Sequence, residues 1–197
     1  VKDVIKHANP TRDFSNVALR IRSLKPDLVM MSNYQNEYAL LARTLHQQKI
    51  DLVAMFSCIG GGFNYKLVKE TPDIAQYMMD FNHWFIPTNP KAQAIQKRLA
   101  AKGDLFTLEV FLTYSSIKLL ADALERARSA EKEALIAALG SSTWSDHYMP
   151  YGPTKFVNGQ NQGAKAVMVQ ASKTDIDVVW PNRFASAKPI FPKPKFS

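Results

Sequence analysis

The residues of this chain whose types could do chemistry are four histidines, one cysteine and a run of three glycines. His7, His46, His83 and His147 fall at none of the spacings that gather metal ligands on one face, such as HExxH. No GxSxG elbow presents a serine nucleophile. Cys58 with His83 is the thiol–imidazole pairing that a nucleophilic mechanism would use. A lone thiol between an apolar strand and a glycine loop is more often a small buried side chain, and Cys58 is read that way. Gly60-Gly61-Gly62 lacks the Gly-Lys-Ser/Thr ending of a phosphate loop and the GxGxxG spacing of a dinucleotide fold. It fits a strand-to-helix loop needing positive φ. It also fits a ligand-facing loop, because open α/β sheets bind ligands at the carboxyl ends of their strands. Asn82-His83-Trp84, just before Pro87, is a polar–aromatic cluster read as hinge packing in preference to ligand contact.

Residues 1–90 alternate between strand and helix patterns. Asp13 is expected to cap a helix carrying Phe14, Val17, Ala18, Ile21 and Leu24 inward, and Pro26 stops it. Segments 28–31 and 52–56 are continuous apolar runs, each followed by a polar or glycine loop and a helix (37–48 and 65–70). Segment 76–85 reads as extended. This pattern predicts a parallel sheet in a three-layer α/β arrangement, with 28–31 adjacent and parallel to 52–56. The loops 32–36 and 57–62 then leave the sheet at one end and face one cleft. After Pro87-Thr88-Asn89-Pro90 come helices at 91–102, 105–128 and 131–139. From Tyr151 the texture is β, at 153–157, 166–170 and 178–180, with Asn158-Gly159 as a hairpin turn between the first two. Residues 181–197 carry four prolines and read as an extended tail.

Composition sets the outer limits. The chain has 197 residues, 46% of them hydrophobic, enough for a real core and one domain or two small ones. No stretch approaches the roughly 20 uncharged apolar residues of a membrane span. A single cysteine excludes an internal disulfide and a multi-cysteine zinc fold. The net charge is +8, yet the lysines and arginines are dispersed, with no block of like charge and no aromatic-interleaved basic strand. No nucleic-acid partner is expected. Val1-Lys2-Asp3-Val4 has no initiator methionine and no apolar signal core, and reads as entering partway through a strand, as in a fragment.

Several segments, taken together and in order, carry a resemblance: Asp13-Phe14-Ser15, Lys25-Pro26-Asp27, Tyr114 with 119–126, Tyr151-Gly152-Pro153-Thr154-Lys155-Phe156, 158–161 and Val178-Val179-Trp180-Pro181. Over nearly its whole length the chain resembles the latter part of a periplasmic solute-binding protein of the branched-chain amino-acid (Leu/Ile/Val) ABC transporter family. The resemblance implies an α/β fold of two three-layer αβα lobes (type I, bilobal) around a cleft, of which this chain is an incomplete part. It places residues 1–87 in most of the second lobe, 88–150 in helices returning to the first, and 151–197 in the hinge hairpin, closing strands and tail. It implies a non-enzymatic function without cofactor, in the periplasm. Its partners would be a small-molecule solute, an inner-membrane ABC permease, and either the missing N-terminal part or a swapped copy, covering apolar faces this piece would otherwise expose.

The resemblance also implies where a solute is touched. The family's second-lobe aromatic falls at Tyr34, and the loop that pairs with an amino group falls at Ser57, Cys58, Ile59 and Gly60. Glu109, just before Tyr114, aligns with a further position near the cleft and is otherwise a solvated helix residue. The loop 57–62 holds no acid, and a buried ammonium without a counter-charge is costly. The expected solute is therefore an aromatic or branched carboxylate, with leucine-like amino acids as the rival if Glu109 supplies the missing charge. Two other classes share the residue pattern. A repressor or receptor effector domain would use the same fold, and an amidase-like enzyme would need Cys58 exposed and activated.

Overall fold

The computed structural model describes residues 1–58 and 63–195. The chain divides into two compact units, Val1–Asn82 with Met168–Ser197, and His83–Val167.

The first unit is built on a sheet. Helix α1 (Ser15–Leu24) buries Ala18 and Ile21. Asp13 acts one residue earlier than a conventional cap, its carboxylate accepting from the Ser15 N–H at 2.8 Å. Hydrogen bonds from Ser15 hold that carboxyl below the usual carboxylate range. Strand β1 (Leu28–Met31), helix α2 (Gln35–Gln47), strand β2 (Ala54–Cys58), helices α3 (Tyr65–Glu70) and α4 (Pro72–Ala75) and strand β3 (Met79–Asn82) follow. β1 and β2 pair in parallel from Leu28↔Ala54 to Met31↔Ser57, as the apolar runs predict. β2 and β3 pair in parallel from Phe56↔Met79 to Cys58↔Phe81. β2 starts at Ala54 rather than 52, with the Val53 N–H donating to the Asp27 carbonyl at 2.8 Å just ahead of it. Strands β6 (Val167–Ala171) and β7 (Ile176–Trp180) complete the order β1-β2-β3-β6-β7, pairing antiparallel with each other.

The steps from β1 to β2 to β3 run in one direction, so right-handed crossovers put α2, α3 and α4 over the same face. On that face lie Met31, Met55 and Asp80, all buried. The opposite face shows Leu28 at 50%, Met30 at 71% and Phe81 at 41% exposure.

The second unit is helical. Helices α5 (Pro90–Ala100), α6 (Leu108–Ala127) and α7 (Lys132–Gly140) precede a short hairpin. Its core is aromatic: Trp84 meets Phe111 edge-on at 5.2 Å, and Phe85 lies 4.8 Å from Phe106 and 5.3 Å from Phe111 between ring centroids. The Tyr148 hydroxyl donates to the Phe111 carbonyl at 2.8 Å, and burial pushes its phenol up to about 12. Along α6, Ile117, Leu120 and Leu124 remain exposed.

The Asn-Gly turn departs from its expected pairing. Asn158 and Gly159 both have positive φ, 51° and 76°, the geometry of a two-residue type I′ turn. The strands it joins are β4 (Phe156–Val157) and β5 (Gln160–Asn161), not 153–157 and 166–170. The second arm is polar, so an apolar-run reading passes over it. Gly163 is required nearby, because a Cβ there would lie 2.3 Å from the Pro153 carbonyl oxygen.

Candidate functional site

The site follows from the parallel strands. Met31 and Ser57 are register partners, so the loop starting at Ser32 and the end of β2 leave the sheet side by side. Tyr34 sits at the N-cap of α2 with extended backbone, its carbonyl accepting from the Tyr38 N–H at 2.9 Å. Tyr34 is 70% exposed, available for contact rather than spent in the core. It lines an open hollow shared with His7, Ser32, Asn33 and Glu37. His7 is fixed there by Asn33, Nδ2 to Nε2 2.7 Å, and by an edge-on contact with Phe14 at 5.0 Å.

Ser57 and Cys58 end β2 on opposite faces. Ser57 is buried, 2% exposed, and its Oγ has no hydrogen-bond partner. Cys58 is a free, exposed thiol, which corrects the buried reading. Strand alternation explains it: Cys58 points to the face that also shows Met30 and Phe81, away from the covering helices. Ile59 and Gly60 lie outside the described residues, as do Gly61 and Gly62. Glu109 is exposed in the first turn of α6 in the second unit, where the helix dipole favours an acid. In the second unit, His83 is partly buried, while Trp84 is fully buried in the aromatic core, in keeping with a packing role for it.

Two buried carboxylates escape a reading based on loops. Glu37, 4% exposed, occupies the first turn of α2 beside Tyr34. Asp80, with no exposure, is the register partner of Ser57 on β3, and the Asn82 amide donates to its Oδ2 at 2.8 Å. Tyr38 reaches the same region from α2, its hydroxyl donating to the Met78 Sδ at 3.4 Å. Burial, and then the charge of Asp80, pushes the Tyr38 phenol well above its ordinary value. The sequence signal was an acid within an apolar strand, Met78-Met79-Asp80-Phe81, a position that seldom holds a charge without a purpose.

A sequence profile of the family described as periplasmic binding protein matches residues 1–175. A Leu/Ile/Val-binding protein of Rhizobium johnstonii is 35% identical over 134 residues, covering 65% of this chain and 35% of that protein. A leucine-binding protein of Thermotoga maritima superposes with a TM-score of 0.72 at 19% identity, over 87% of this chain and 49% of the other. A solute-binding protein of an ABC transporter from R. palustris, solved in complex with benzoate, gives 0.73 at 16% identity, over 94% and 50%. This chain thus spans about half the length of those solved proteins. The parallel-rich sheet with its carboxyl-end loops is the type I fold of these neighbours, and the chain belongs to the periplasmic binding protein family.

Proposed function

We propose that this chain is part of the solute-binding component of an ABC uptake system. It captures a small organic solute in a cleft between two lobes and delivers it, from the periplasm, to an inner-membrane permease, without chemical conversion. The solute is an aromatic or branched carboxylate, or a branched or aromatic amino acid. The Rhizobium relative is named for leucine, isoleucine and valine, and the R. palustris neighbour holds benzoate. The observation that carries the reading is the shared exit of β1 and β2, which presents the exposed Tyr34 ring beside the end of β2. Tyr34, Ser57, Cys58, Ile59, Gly60 and Glu109 are the proposed contacts. Residues 1–87 form most of the second lobe, 88–150 return to the first, and 151–197 provide the hinge and closing strands. The exposed Leu28, Met30 and Phe81 of one unit, and Ile117, Leu120 and Leu124 of the other, are assigned to cover by the rest of the protein or a swapped copy.

Thermal-shift screening of the full-length protein against small carboxylates and amino acids tests this reading. A ligand at 100 times its Kd adds about 2.7 kcal/mol of apparent stability. Tyr34→Ala is expected to weaken the best ligand at least about tenfold, since an aromatic wall is a typical affinity anchor. No stabilising compound in the screen, or unchanged affinity in the variant, would defeat it.

A further inference from the structure

We infer that His7 sets the hydrogen-bonding polarity of Asn33 in the Tyr34 hollow. That wall accepts from the solute while the imidazole is neutral and donates to it once the ring is protonated. The inference rests on the solute-binding reading above and goes beyond it by tying solute preference to pH through one residue pair. The ring's protonation follows from its partners. The His7 Nδ1 lies 2.8 Å from the Ala8 carbonyl oxygen, which can only accept, so Nδ1 carries the proton. The Thr11 hydroxyl, 3.2 Å from Nδ1, gives its own proton to the same carbonyl and has none to offer the ring. In the neutral imidazole Nε2 is then a bare acceptor. The Asn33 Nδ2 sits 2.7 Å away and donates to it.

This arrangement orients the amide. With Nδ2 turned to His7, the Asn33 Oδ1 has no partner among the described residues, on a half-buried side chain that lines the hollow with Tyr34. A solute hydroxyl or amide N–H is the group that fits it. Protonation puts a proton on Nε2 as well, and two donors then face each other across 2.7 Å. A half-turn of the amide about its broad, two-fold terminal torsion relieves the clash. Oδ1 then accepts from Nε2–H in a charge-assisted bond, and the amide NH2 faces the hollow, where a carbonyl, ether or carboxylate oxygen fits. Histidine is the side chain whose ordinary titration falls at about pH 5 to 8. The other charged or titratable groups of the hollow are Lys6, on the segment of His7, and Glu37 and the Tyr34 phenol at the start of α2. Asp13, next to the Phe14 ring that His7 meets edge-on, is turned to the Ser15 N–H.

Calorimetry on the full-length protein at about pH 7.5 and about pH 5.5 tests this with two probes. 4-Hydroxybenzoate carries a donor on the ring, and 4-methoxybenzoate carries only an acceptor there. Both bear the same carboxylate, so its titration cancels in the ratio of their affinities. The ratio is expected to favour the hydroxyl compound about fivefold at the higher pH and to fall at least about threefold at the lower. His7→Gln, whose amide does not titrate, should hold the ratio constant, and Glu37→Gln should keep its fall with pH. In nitrogen NMR of the same protein, His7 should show the Nδ1–H tautomer at the higher pH. A coupling across the hydrogen bond between Asn33 Nδ2 and His7 Nε2 should be seen there and vanish at the lower pH. A ratio that ignores pH in the wild type overturns the inference, as does a dependence that survives in His7→Gln or is lost in Glu37→Gln. So does an Nε2–H tautomer at the higher pH. If Glu37→Gln does not fold, His7→Gln and the tautomer still decide. Binding of neither probe overturns the inference as well; the solute-binding reading falls with it only if the wider screen also finds no ligand.

Discussion

The two units hold themselves together by different means. The sheet unit relies on a backbone ladder with aliphatic and methionine side chains beneath it, and places its polar groups at strand ends. Among the described residues of the helical unit the strands are only two residues long, and its core is a cluster of interlocking rings around Trp84, Phe85, Phe106 and Phe111. The lesson is a division of labour. A parallel sheet delivers consecutive loops to one end and so can build a site; an aromatic core fixes helices firmly but orders no such row of loop ends.

The sharpest way to break this contrast is Trp84→Ala. Loss of a buried indole costs about 3–5 kcal/mol, and the loss should concentrate in its own unit. Hydrogen exchange should show protection falling across 83–167 while the β1–β2 ladder keeps most of its own. Uniform loss across the chain would dissolve the distinction between units.

Next in size is Met30→Ser on the bare face of β1. In the 197-residue chain, where Met30 is 71% exposed, the change should stay within about 0.5 kcal/mol. In the full-length protein, where this side is expected to be covered, the same change should cost about 1.5–3 kcal/mol. Urea denaturation of both lengths gives the comparison directly. Sedimentation of the short chain should show self-association, and a monodisperse monomer would argue that these faces need no cover.

A smaller effect sharpens the helical side of the contrast. Gly159→Ala places a side chain at a φ of 76°, which should cost about 1 kcal/mol, read as a lower melting temperature. The smallest is a pH effect at His147, whose pKa burial lowers from the ordinary histidine value of 6.5. The native state resists the proton that the unfolded chain accepts. His147 therefore contributes stability above pH 6.5 that is lost as pH falls through its depressed folded value. His147→Gln should flatten that decline just below pH 6.5 in the helical unit and leave the sheet unit's protection unchanged.

Much of the fold could be read from the residues because continuous apolar runs set between helical patterns mark the strands of a parallel sheet. Segments 28–31 and 52–56 are apolar throughout, the pattern of strands in a parallel sheet, and they do pair in parallel. The partner of the Asn-Gly turn was not legible, because Gln160 and Asn161 pair through backbone alone and carry no apolar signature. The exposed thiol followed from alternation within β2, which a loop-based placement of Cys58 ignored. The site was legible as two loops at one sheet end and illegible in its depth. Ser57 and Asp80 meet only through register between strands more than 20 residues apart in sequence, and periodicity within one strand does not encode register with the next.

The proline-rich tail has a consequence for mechanics. Pro189, Pro192 and Pro194 have no N–H, so the tail cannot join a ladder in the usual way. Gln170 substitutes for one with its side chain: its Oε1 accepts from the Ile190 N–H at 2.8 Å, and its Nε2 donates to the Ile190 carbonyl at 3.0 Å and the Tyr77 carbonyl at 3.2 Å. The Lys193 N–H adds one bond to the Val53 carbonyl at 2.8 Å. Under a pulling force applied through the tail, load would pass first through the Lys193 contact, then through the Gln170 amide, and only then reach the Ser186 bonds to Asp177 and Val178 of β7. A tether at this end would therefore peel the tail back as far as Ser186 at low force, with the five-stranded ladder still intact behind it.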